Sequence, residues 1–241
     1  MHLAGFIPCY RCPQQVARVL AALASEQVKR FEVIYVVDNA SDDLTADFAR
    51  SAIEARADKD KFKFIRWPEN RGLGGSFKAV FSKARDLGMT HLLMFHGDDQ
   101  ADGNDIPRLL EVAERNQVSA VLGSRFACGA RRSGYSTGRL IGNWLFNILY
   151  SILLRRKITD IGSGLNLYQV ESFSREFIAA LPTHIAFDAH ILFYLHRRRL
   201  SFEFVPIVWR TQDQQSSVRN FEVGWLALKE TTRLALGRRH A

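Results

Sequence analysis

The sequence contains only three cysteines in 241 residues, which is typical of a protein kept in a reduced, cytoplasmic compartment. Cys9 and Cys12 form a C-x-x-C pattern between a predicted strand and a predicted helix. A zinc site needs more ligands than Cys128 alone supplies, and the surrounding pattern does not follow the thioredoxin plan. We therefore interpret the pair as small residues that line a turn.

The sequence also lacks long apolar runs, export signals and repeats. The longest uncharged apolar stretch, Leu140 to Leu154, has 15 residues, fewer than the roughly 20 needed to span a bilayer. Met1-His2-Leu3 leads directly into a strand-like segment, without the basic and apolar regions of a signal peptide. Internal repeats and low-complexity linkers are absent. We expect a single domain over residues 1–241 and a cytoplasmic location.

Basic residues outnumber acidic ones, which gives a formal charge of +8 and a pI near 9.7. This balance favours anionic partners, a class that includes phosphorylated ligands, nucleic acids and anionic membranes. The basic residues are scattered, and no nucleic-acid recognition motif accompanies them, so we expect no nucleic-acid partner. Phosphorylated ligands and an anionic membrane remain.

Strand-like and helix-like segments alternate along the first half of the chain. Short apolar runs predict strands at Leu3 to Pro8, Val33 to Val37, Phe62 to Trp67, His91 to Phe95 and Ala120 to Gly123. Helical spacing between them predicts helices at Pro13 to Ser25, Leu44 to Ala57, Gly74 to Leu87 and from about Asp105 onward. The β-branched run at 33–37 is too uniformly apolar to expose one face to solvent, so we expect a strand buried inside a parallel sheet. The pattern predicts an α/β fold with an open, mostly parallel, Rossmann-like central sheet flanked by helices.

The second half of the chain has a different pattern. Ala127 to Gly138 is rich in glycine, serine and arginine and predicts a mobile basic loop. An apolar helix is predicted from Arg139 to Leu154, either as a core helix or as a rest for a lipid chain, and a single strand from Phe202 to Trp209. The last predicted helix, Phe221 to Leu236, carries an apolar face and cations, so it either lies on an anionic membrane or packs on the domain.

Three carboxylates and an amide follow the strand that ends at Phe95. These residues are Asp98, Asp99, Gln100 and Asp102. They lie at the carboxyl end of a predicted strand, which is where open α/β sheets bind ligands. Their oxygens suit Mg²⁺ or Mn²⁺, metals that proteins often share with a phosphate group. The alternative interpretation is a solvated acidic turn before a helix.

Six motifs occur in the order and spacing of family 2 glycosyltransferases, and the sequence most resembles the branch of dolichol- or polyprenyl-phosphate mannosyl- and glucosyltransferases. The motifs are Ile7-Pro8-Cys9-Tyr10, Val36-Val37-Asp38-Asn39-Ala40-Ser41, Asn70-Arg71-Gly72-Leu73-Gly74, His96-Gly97-Asp98-Asp99-Gln100, Gly123-Ser124-Arg125-Phe126 and Thr159-Asp160-Ile161-Gly162-Ser163-Gly164. The resemblance implies a GT-A fold. Within it, residues 1–126 would bind the nucleotide sugar, and residues 127–241 would form a C-terminal elaboration on the acceptor side.

The resemblance also implies a nucleotide-sugar site. Its members are Pro8, Tyr10, Asp38, Asn39, Asn70, Arg71, Gly72, Asp98 and Asp99. In this site Asp38 accepts a hydrogen bond from the base, Tyr10 stacks on the base, and residues 70–72 close over the nucleotide, although an ordinary strand-to-helix turn is equally compatible with them. The family usually has Asn-Glu after the tyrosine, where this chain has Arg11 and Cys12. The base preference therefore stays open.

The D-x-D motif of the family aligns with His96-Gly97-Asp98. Asp98 is the retained carboxylate and Gln100 the matching amide, whereas His96 replaces the first acid. The resemblance therefore implies a Mg²⁺ or Mn²⁺ site formed by these three residues, and imidazole binds Mn²⁺ more readily than Mg²⁺. The histidine also leaves open a nucleotide-binding relative that has lost catalysis.

On the acceptor side, the resemblance implies that Ser124, Arg125 and Arg139 bind an acceptor phosphate. Asp160 corresponds to an acid of the family, which makes Asp98, Arg125 and Asp160 the implied catalytic set. A turn-capping aspartate and solvated arginines are the alternatives. The implied activity is the metal-dependent, inverting transfer of a hexose from a nucleotide sugar to a polyprenyl phosphate, such as dolichyl or undecaprenyl phosphate. The implied enzyme is peripheral on the inner face of a membrane. A hydroxyl acceptor on a glycan or glycolipid is the other enzymatic alternative.

Overall fold

The buried β-branched and aromatic runs form strands, as their pattern predicts. The computed structural model describes residues 1–211, 213 and 228–233. Within them the strands are β1 (Leu3–Cys9), β2 (Phe31–Asp38), β3 (Phe62–Arg66), β4 (His91–Phe95), β5 (Ala120–Ser124), β6 (Arg131–Ser133), β7 (Leu165–Gln169), β8 (Phe202–Pro206) and β9 (Val208–Arg210). The helices are α1 (Pro13–Ala22), α2 (Ser25–Val28), α3 (Thr45–Glu54), α4 (Gly72–Asp86), α5 (Ile106–Asn116), α6 (Thr137–Leu153), α7 (Arg175–Ala180) and α8 (Phe187–Arg197). Residues 228–233 are also helical.

Seven strands form the central sheet, in the order β3-β2-β1-β4-β7-β5-β8. All neighbouring pairs are parallel except those of β7, which runs antiparallel to both β4 and β5. The predicted open, mostly parallel sheet is therefore confirmed. Since β7 comes from the second half of the chain and lies inside the sheet, both halves of the sequence share one sheet.

Helices cover both faces of the sheet. On one face, α1, α3 and α5 contribute apolar residues that include Val16, Leu20, Ala49 and Leu109. On the other face, α4, α6 and α8 contribute residues that include Phe77, Tyr150 and Phe187. The Phe77 ring lies 4.8 Å from the ring of Phe187 and 5.4 Å from that of Tyr168. This aromatic packing fixes the start of α8 against α4 and β7.

The stretch from Ala127 to Gly138 is not a loop throughout. Residues Arg131–Ser133 form β6, which pairs in parallel with Val208–Arg210 in a small second sheet. The prediction of a loop was wrong there, because the Arg-Arg-Ser sequence has little strand propensity of its own and the strand is supplied by pairing with a distant segment. The single strand predicted from Phe202 to Trp209 was likewise wrong, since β8 ends at Pro206 and β9 begins at Val208.

The final predicted helix, Phe221 to Leu236, lies largely outside the described residues. Its described part, 228–233, is helical. Glu230 is buried and accepts a hydrogen bond from His190 of α8 across 3.0 Å. Thr231 is hydrogen-bonded to Tyr150 of α6 at 2.7 Å. One side of this helical turn therefore packs on the domain through polar contacts.

The start of α4 is in direct contact with the segment before α8. Gly72 has φ +68°, and a Cβ at this position would lie 2.2 Å from the carbonyl oxygen of Thr183. The backbone N–H of Gly75 donates a hydrogen bond to the same oxygen at 3.2 Å. Glycine is required here because the backbone is left-handed and because the segment at Thr183 approaches it closely. This contact holds the predicted nucleotide loop, residues 70–72, beside the second half of the chain.

We predict that Gly72→Ala destabilises the protein more than Gly88→Ala does. Both glycines have positive φ, but the space around Gly88 is open. The control substitution should lower the free energy of unfolding by about 1 kcal/mol through backbone strain alone. Gly72→Ala should cost roughly 2 kcal/mol more, because the methyl group collides with the Thr183 carbonyl. Urea denaturation of both variants measures the difference, and equal losses would contradict the close contact.

Candidate active site

Polar side chains converge where β1, β2, β4 and β5 end, at the carboxyl edge of the sheet. Asp38 closes β2, and its side chain is fully buried. Its Oδ1 accepts a hydrogen bond from the Ser41 N–H at 3.2 Å, and Oδ2 lies 3.2 Å from Nε of Arg66. No well-directed donor among the described residues bonds to Oδ2. Oδ2 is therefore a buried acceptor that lies beside the Arg66 guanidinium.

Asn39 connects the end of β2 to the loop before α4. Its Nδ2 donates to Oδ1 of Asn70 at 2.8 Å, and its Oδ1 accepts from the Arg71 N–H at 2.9 Å. The Gly72 N–H also donates to Asn70 Oδ1, at 2.8 Å. The structure thus brings together four of the predicted nucleotide-site residues in one hydrogen-bonded unit. The guanidinium of Arg71 stacks on Trp67, 4.3 Å from the ring.

Pro8 and Tyr10 lie at the end of β1, beside the loop that follows β4. The Pro8 carbonyl accepts a hydrogen bond from the Gly97 N–H at 3.0 Å, which sets the two segments side by side. Arg11 stacks on the partly buried Tyr10 ring at 5.3 Å and forms a two-point ion pair with Asp42, at 2.7 and 2.6 Å. Arg11, which stands where the family usually has asparagine, is therefore part of a surface ion pair.

Both cysteines of the C-x-x-C pattern are buried, unbonded thiols. A Cβ on Gly97 would lie 2.7 Å from Sγ of Cys9, so the small cysteine and glycine allow the strand end and the loop to approach closely. Burial raises the pKa of the Cys9 thiol well above its usual value, and the neighbouring Cys12 adds to the rise. The Cys9 thiol is thus kept protonated and unreactive at neutral pH.

His96 and Asp98 face each other in the loop after β4. His96 Nδ1 lies 3.9 Å from Asp98 Oδ2, and Oδ1 of Asp98 accepts a hydrogen bond from the Gln100 N–H at 3.2 Å. His96 Nε2 is buried and has no hydrogen-bond partner among the described residues. Its ring packs on Gly164, where a Cβ would lie 2.8 Å away. The nitrogen that faces the one-third-exposed Asp98 carboxylate is Nδ1, and imidazole together with carboxylate is a donor pair that suits a divalent cation.

The described residues contain no group of three histidine, cysteine or acidic side chains that could enclose a metal. Mg²⁺ and Mn²⁺ commonly take one or two protein ligands and complete their shell with water and substrate phosphates. Within the loop, His96, Asp98 and Gln100 lie together. Asp99, in contrast, has φ +58° and accepts a hydrogen bond from Arg18 Nε of α1 at 2.7 Å. Its carboxylate thus ties the loop to α1.

The same loop is bound along its edge to β9. The Gln100 carbonyl accepts from the Arg210 N–H at 2.8 Å, and the Asp102 N–H donates to the Val208 carbonyl at 3.1 Å. The side chains of Asp102 and Arg210 form an ion pair at 2.9 Å. Asp105, the N-cap residue of α5, accepts a hydrogen bond from the Val208 N–H at 2.7 Å. The loop after β4 is therefore fastened to the small β6–β9 sheet of the second half of the chain.

A buried ion pair joins Arg125, just after β5, to Asp160. Arg125 donates from Nε and Nη2 to the two carboxylate oxygens at 2.8 and 2.7 Å, and its backbone N–H donates to Asp160 Oδ2 at 2.8 Å. Nη2 also donates to the Gly162 carbonyl at 2.7 Å. Burial lowers the pKa of the Arg125 guanidinium, but the Asp160 carboxylate outweighs burial and raises it above its usual value. The Arg125 guanidinium therefore stays charged and bonded to the Asp160 carboxylate.

This geometry differs from what the resemblance implied for Ser124, Arg125 and Asp160. Ser124 is fully buried, and its Oγ accepts from the N–H groups of Phe126 and Ala127 at 3.2 and 3.0 Å. In this structure Ser124 Oγ bonds to the backbone that follows it, and the side chains of Arg125 and Asp160 bond to each other. The three residues instead shape the segments that lead into β6 and β7.

Arginines and aromatic rings cluster beside this ion pair. Arg139, in the first turn of α6, stacks on Tyr135 at 4.9 Å and on Trp209 at 5.7 Å. The Tyr135 and Trp209 rings are 4.8 Å apart. Arg132 of β6 is exposed, lies 5.0 Å over the Phe126 ring and donates to the Arg125 carbonyl. Sequence reasoning identified Arg139 but missed Arg132, because the predicted loop gave it no defined position.

Asp188 is a further acidic residue of the site that sequence reasoning missed. It lies in the first turn of α8, and Tyr168 Oη donates to its Oδ1 at 3.4 Å. A Cβ on Gly162 would lie 2.7 Å from its Oδ2, so the carboxylate directly faces the segment after Asp160. Burial raises its pKa to about 7, against the opposing effect of His96. The only sequence signal was an acid in the first turn of a predicted helix, a position that the helix dipole alone explains.

Comparison with known proteins places this site in a family. The sequence profile of the glycosyl transferase family 2 domain matches residues 6–177. The chain is 25% identical over 228 residues to the dolichyl-phosphate beta-glucosyltransferase of Dictyostelium discoideum, covering 88% of this chain and 68% of that protein. It is 23% identical over 228 residues to the enzyme of the same name from Saccharomyces cerevisiae, covering 88% and 67%.

A solved structure supports the same fold. Glucosyl-3-phosphoglycerate synthase from Mycobacterium tuberculosis, in complex with Mn²⁺, uridine diphosphate and phosphoglyceric acid, aligns with a TM-score of 0.68 at 14% identity. The alignment covers 98% of this chain and 78% of that one. The fold is the GT-A fold. With the family profile matching well over half of its length, the chain belongs to glycosyl transferase family 2 and is a nucleotide-sugar-dependent glycosyltransferase.

Proposed function

We propose that this protein transfers a hexose from a nucleoside-diphosphate sugar to the phosphate group of a polyprenyl phosphate. The observation that carries the proposal is the charge of the acceptor side. From residue 115 to residue 159 the chain contains no aspartate or glutamate, and it contains eight arginine or lysine residues. Two of them stack on aromatic rings of the acceptor side, Arg132 on Phe126 and Arg139 on Tyr135 and Trp209. Such a surface suits an anionic acceptor, and it agrees with the dolichyl-phosphate beta-glucosyltransferases to which the chain is similar.

The donor side is built from the first 126 residues in this proposal. Asp38 accepts a hydrogen bond from the base, Tyr10 and Pro8 border it, and the unit of Asn39 with residues 70–72 encloses the nucleotide. Asp98, His96 and Gln100 hold Mg²⁺ or Mn²⁺, and Asp99 fixes their loop through Arg18. A divalent cation at this position neutralises charge on the diphosphate leaving group when it is bound.

The acceptor side is built from residues 127–241 of the same domain. Arg132 and Arg139 hold the acceptor phosphate through charge-assisted hydrogen bonds. Arg125 and Asp160 are positioning residues, because their buried ion pair fixes the segment that carries Gly162 and Gly164. A phosphate oxygen attacks the anomeric carbon as the bond from that carbon to the diphosphate breaks, which inverts the configuration. The leaving diphosphate takes the bonding electron pair.

A phosphate acceptor would need no general base from the protein. Phosphate oxygen is anionic at neutral pH and needs no proton removed before attack, whereas a hydroxyl acceptor does. Since polyprenyl phosphate resides in a bilayer, we also propose that the protein works at the surface of an anionic membrane, on its inner face.

One observation favours a second candidate function. Asp188 faces the acceptor side with a pKa of about 7, which is the value expected of a general base. A family 2 enzyme with this base would act on a hydroxyl of a glycan or glycolipid. A nucleotide-binding relative without catalysis is the third candidate, because His96 stands where the family has an acid.

Turnover with paired acceptors separates the three candidates. The purified protein is incubated with a panel of nucleotide sugars, Mn²⁺ or Mg²⁺, and either a polyprenyl phosphate or the matching polyprenol. The proposal predicts a glycosylated lipid only from the phosphate. Product from a hydroxyl compound alone would favour the second candidate. Metal-dependent nucleotide binding without turnover on any acceptor would favour the third.

We predict that Asp98→Asn lowers the transfer rate by at least about a hundredfold, because it weakens metal and diphosphate binding at the leaving group. The thermal stabilisation that a nucleoside diphosphate gives with Mn²⁺ should fall in parallel. Asp99→Asn is the matched control, since its carboxylate bonds to Arg18. This control should retain metal-dependent stabilisation. A normal metal-dependent transfer rate in Asp98→Asn would contradict the assignment of Asp98 as a metal ligand.

We predict that Arg139→Ala and Arg132→Ala each raise the KM for polyprenyl phosphate about tenfold, with a smaller change in kcat, because each removes a contact made before the transition state. Arg131→Ala is the control, since Arg131 carries the same charge on the same strand but points to the opposite face. Steady-state kinetics with varied acceptor measures the effect. Equal KM values in all three variants would contradict the proposed contact of Arg132 and Arg139 with the acceptor phosphate.

We predict that Asp188→Asn preserves the pH dependence of transfer. An acceptor phosphate has its second pKa near 6, so the rate should rise with pH through that region in both proteins. If Asp188 is the base, the wild-type rate rises as its carboxyl group ionises near pH 7, and the asparagine variant loses that rise. Rate profiles between pH 5 and 8 at saturating donor distinguish the two outcomes.

A further inference from the structure

Helix α6 exposes an apolar face to solvent. Five of the eleven large apolar side chains that are exposed in the described structure belong to this one helix. They are Ile141, Trp144, Leu145, Ile148 and Ile152, with Trp144 at 60% and Ile152 at 68% exposure. At 100° per residue they fall within about 100° of the helix circumference. The opposite side of the helix carries the buried Asn147 and Tyr150, which pack on the domain. The predicted core helix is therefore buried on one side only.

Positive charge surrounds this face at both ends. Arg139 lies in the first turn of α6, and the exposed residues Arg155, Arg156 and Lys157 follow its last turn. The helix itself contains no acidic residue, and neither do the segments that flank it between residues 115 and 159. An apolar face about 100° wide with cations at its ends is complementary to a surface that is apolar inside and anionic at its edge.

We infer that α6 is the membrane-docking element of this protein, and that it lies in the plane of an anionic lipid surface with its apolar face in the headgroup boundary. At 17 residues it is about 25 Å long. In the described part of the chain, no helix has both the length and the apolar character for crossing a bilayer. The mode of contact is thus attachment in the interface through buried apolar area and cationic residues.

This orientation connects docking to the acceptor site and rests on the proposed function. The first turn of α6 carries Arg139, which stacks on Tyr135 and Trp209 beside Arg132. A helix lying in the interface holds these arginines at the depth of lipid phosphates. A polyprenyl phosphate then meets the site with its chain in the bilayer and its phosphate at the amino end of α6, where the helix dipole also favours an anion.

The described turn of the C-terminal helix makes a different kind of contact. Its residues Glu230 and Thr231 are buried against His190 and Tyr150, so this side of the turn faces the domain. Leu228 is its exposed apolar residue among those described. The contiguous apolar surface of the described chain is on α6.

Vesicle co-sedimentation tests the inference with a matched pair of substitutions. Leu145→Glu places a charge on the α6 face, whereas Leu87→Glu places one on an equally exposed leucine after α4, at 55% and 54% exposure. The wild type should bind vesicles that contain phosphatidylglycerol more tightly than pure phosphatidylcholine vesicles. Leu145→Glu should weaken this binding at least about tenfold, and Leu87→Glu should leave it unchanged.

Two further proteins test the charge and the location. The double variant Arg155→Glu, Lys157→Glu should lose most of the salt-sensitive binding to phosphatidylglycerol, because anionic headgroups attract those cations. Leu228→Glu, which places a charge on the exposed leucine of the C-terminal turn, should retain it. Stabilisation by UDP or GDP with Mn²⁺, whichever nucleotide stabilises the wild type, should be equal in all the substituted proteins. This readout establishes that they are folded, since α6 takes no part in donor binding.

Three results would overturn the inference. They are equal vesicle binding by Leu145→Glu and the wild type, equal losses in Leu145→Glu and Leu87→Glu, and loss of binding in Leu228→Glu alone. A wild-type dimer in light scattering that Leu145→Glu converts to monomer, with unchanged vesicle binding, would assign the face to a second copy of the chain. Failure of the proposed function is separate, because turnover on hydroxyl acceptors alone would leave the vesicle comparison as it stands.

Discussion

The ion pair between Arg125 and Asp160 joins the end of β5 to the segment that leads into β7. Both charges are buried, so neither can lose its partner without a large cost, of about 3 to 5 kcal/mol for pairs of this kind. The pair holds Gly162 against Asp188 and Gly164 against the ring of His96. The ion pair thus helps to set the position of the loop after β4, which carries His96 and Asp98, relative to the acceptor side.

Much of the fold could be predicted because its signals are local. The β-branched run at 33–37 and the apolar runs around it predicted strands buried on both faces, and the structure contains them in a mostly parallel sheet. The carboxylates after β4 were recognisable from their place at the end of a strand. Asn39 and Asn70 were recognisable from motif resemblance, and the structure brings them within hydrogen-bonding distance.

The parts that escaped prediction depend on contacts between distant segments. Strand β6 exists because β9 pairs with it, and no local preference of Arg131–Ser133 indicates a strand. The partners of Arg125 were also hidden, since the sequence shows an arginine near a flexible segment but not the carboxylate 35 residues later that binds it. Asp188 looked like an ordinary helix-start acid, and only the folded chain sets it against Gly162.

The central claim is that the nucleophile is a phosphate oxygen of a lipid. Phosphorus NMR of the acceptor during turnover tests it directly, because glycosylation converts a phosphate monoester into a diester, which has a different resonance and no ionisation near neutral pH. The account predicts that the acceptor signal changes from monoester to diester as the nucleoside diphosphate appears. Release of nucleoside diphosphate together with an unchanged monoester signal would contradict it.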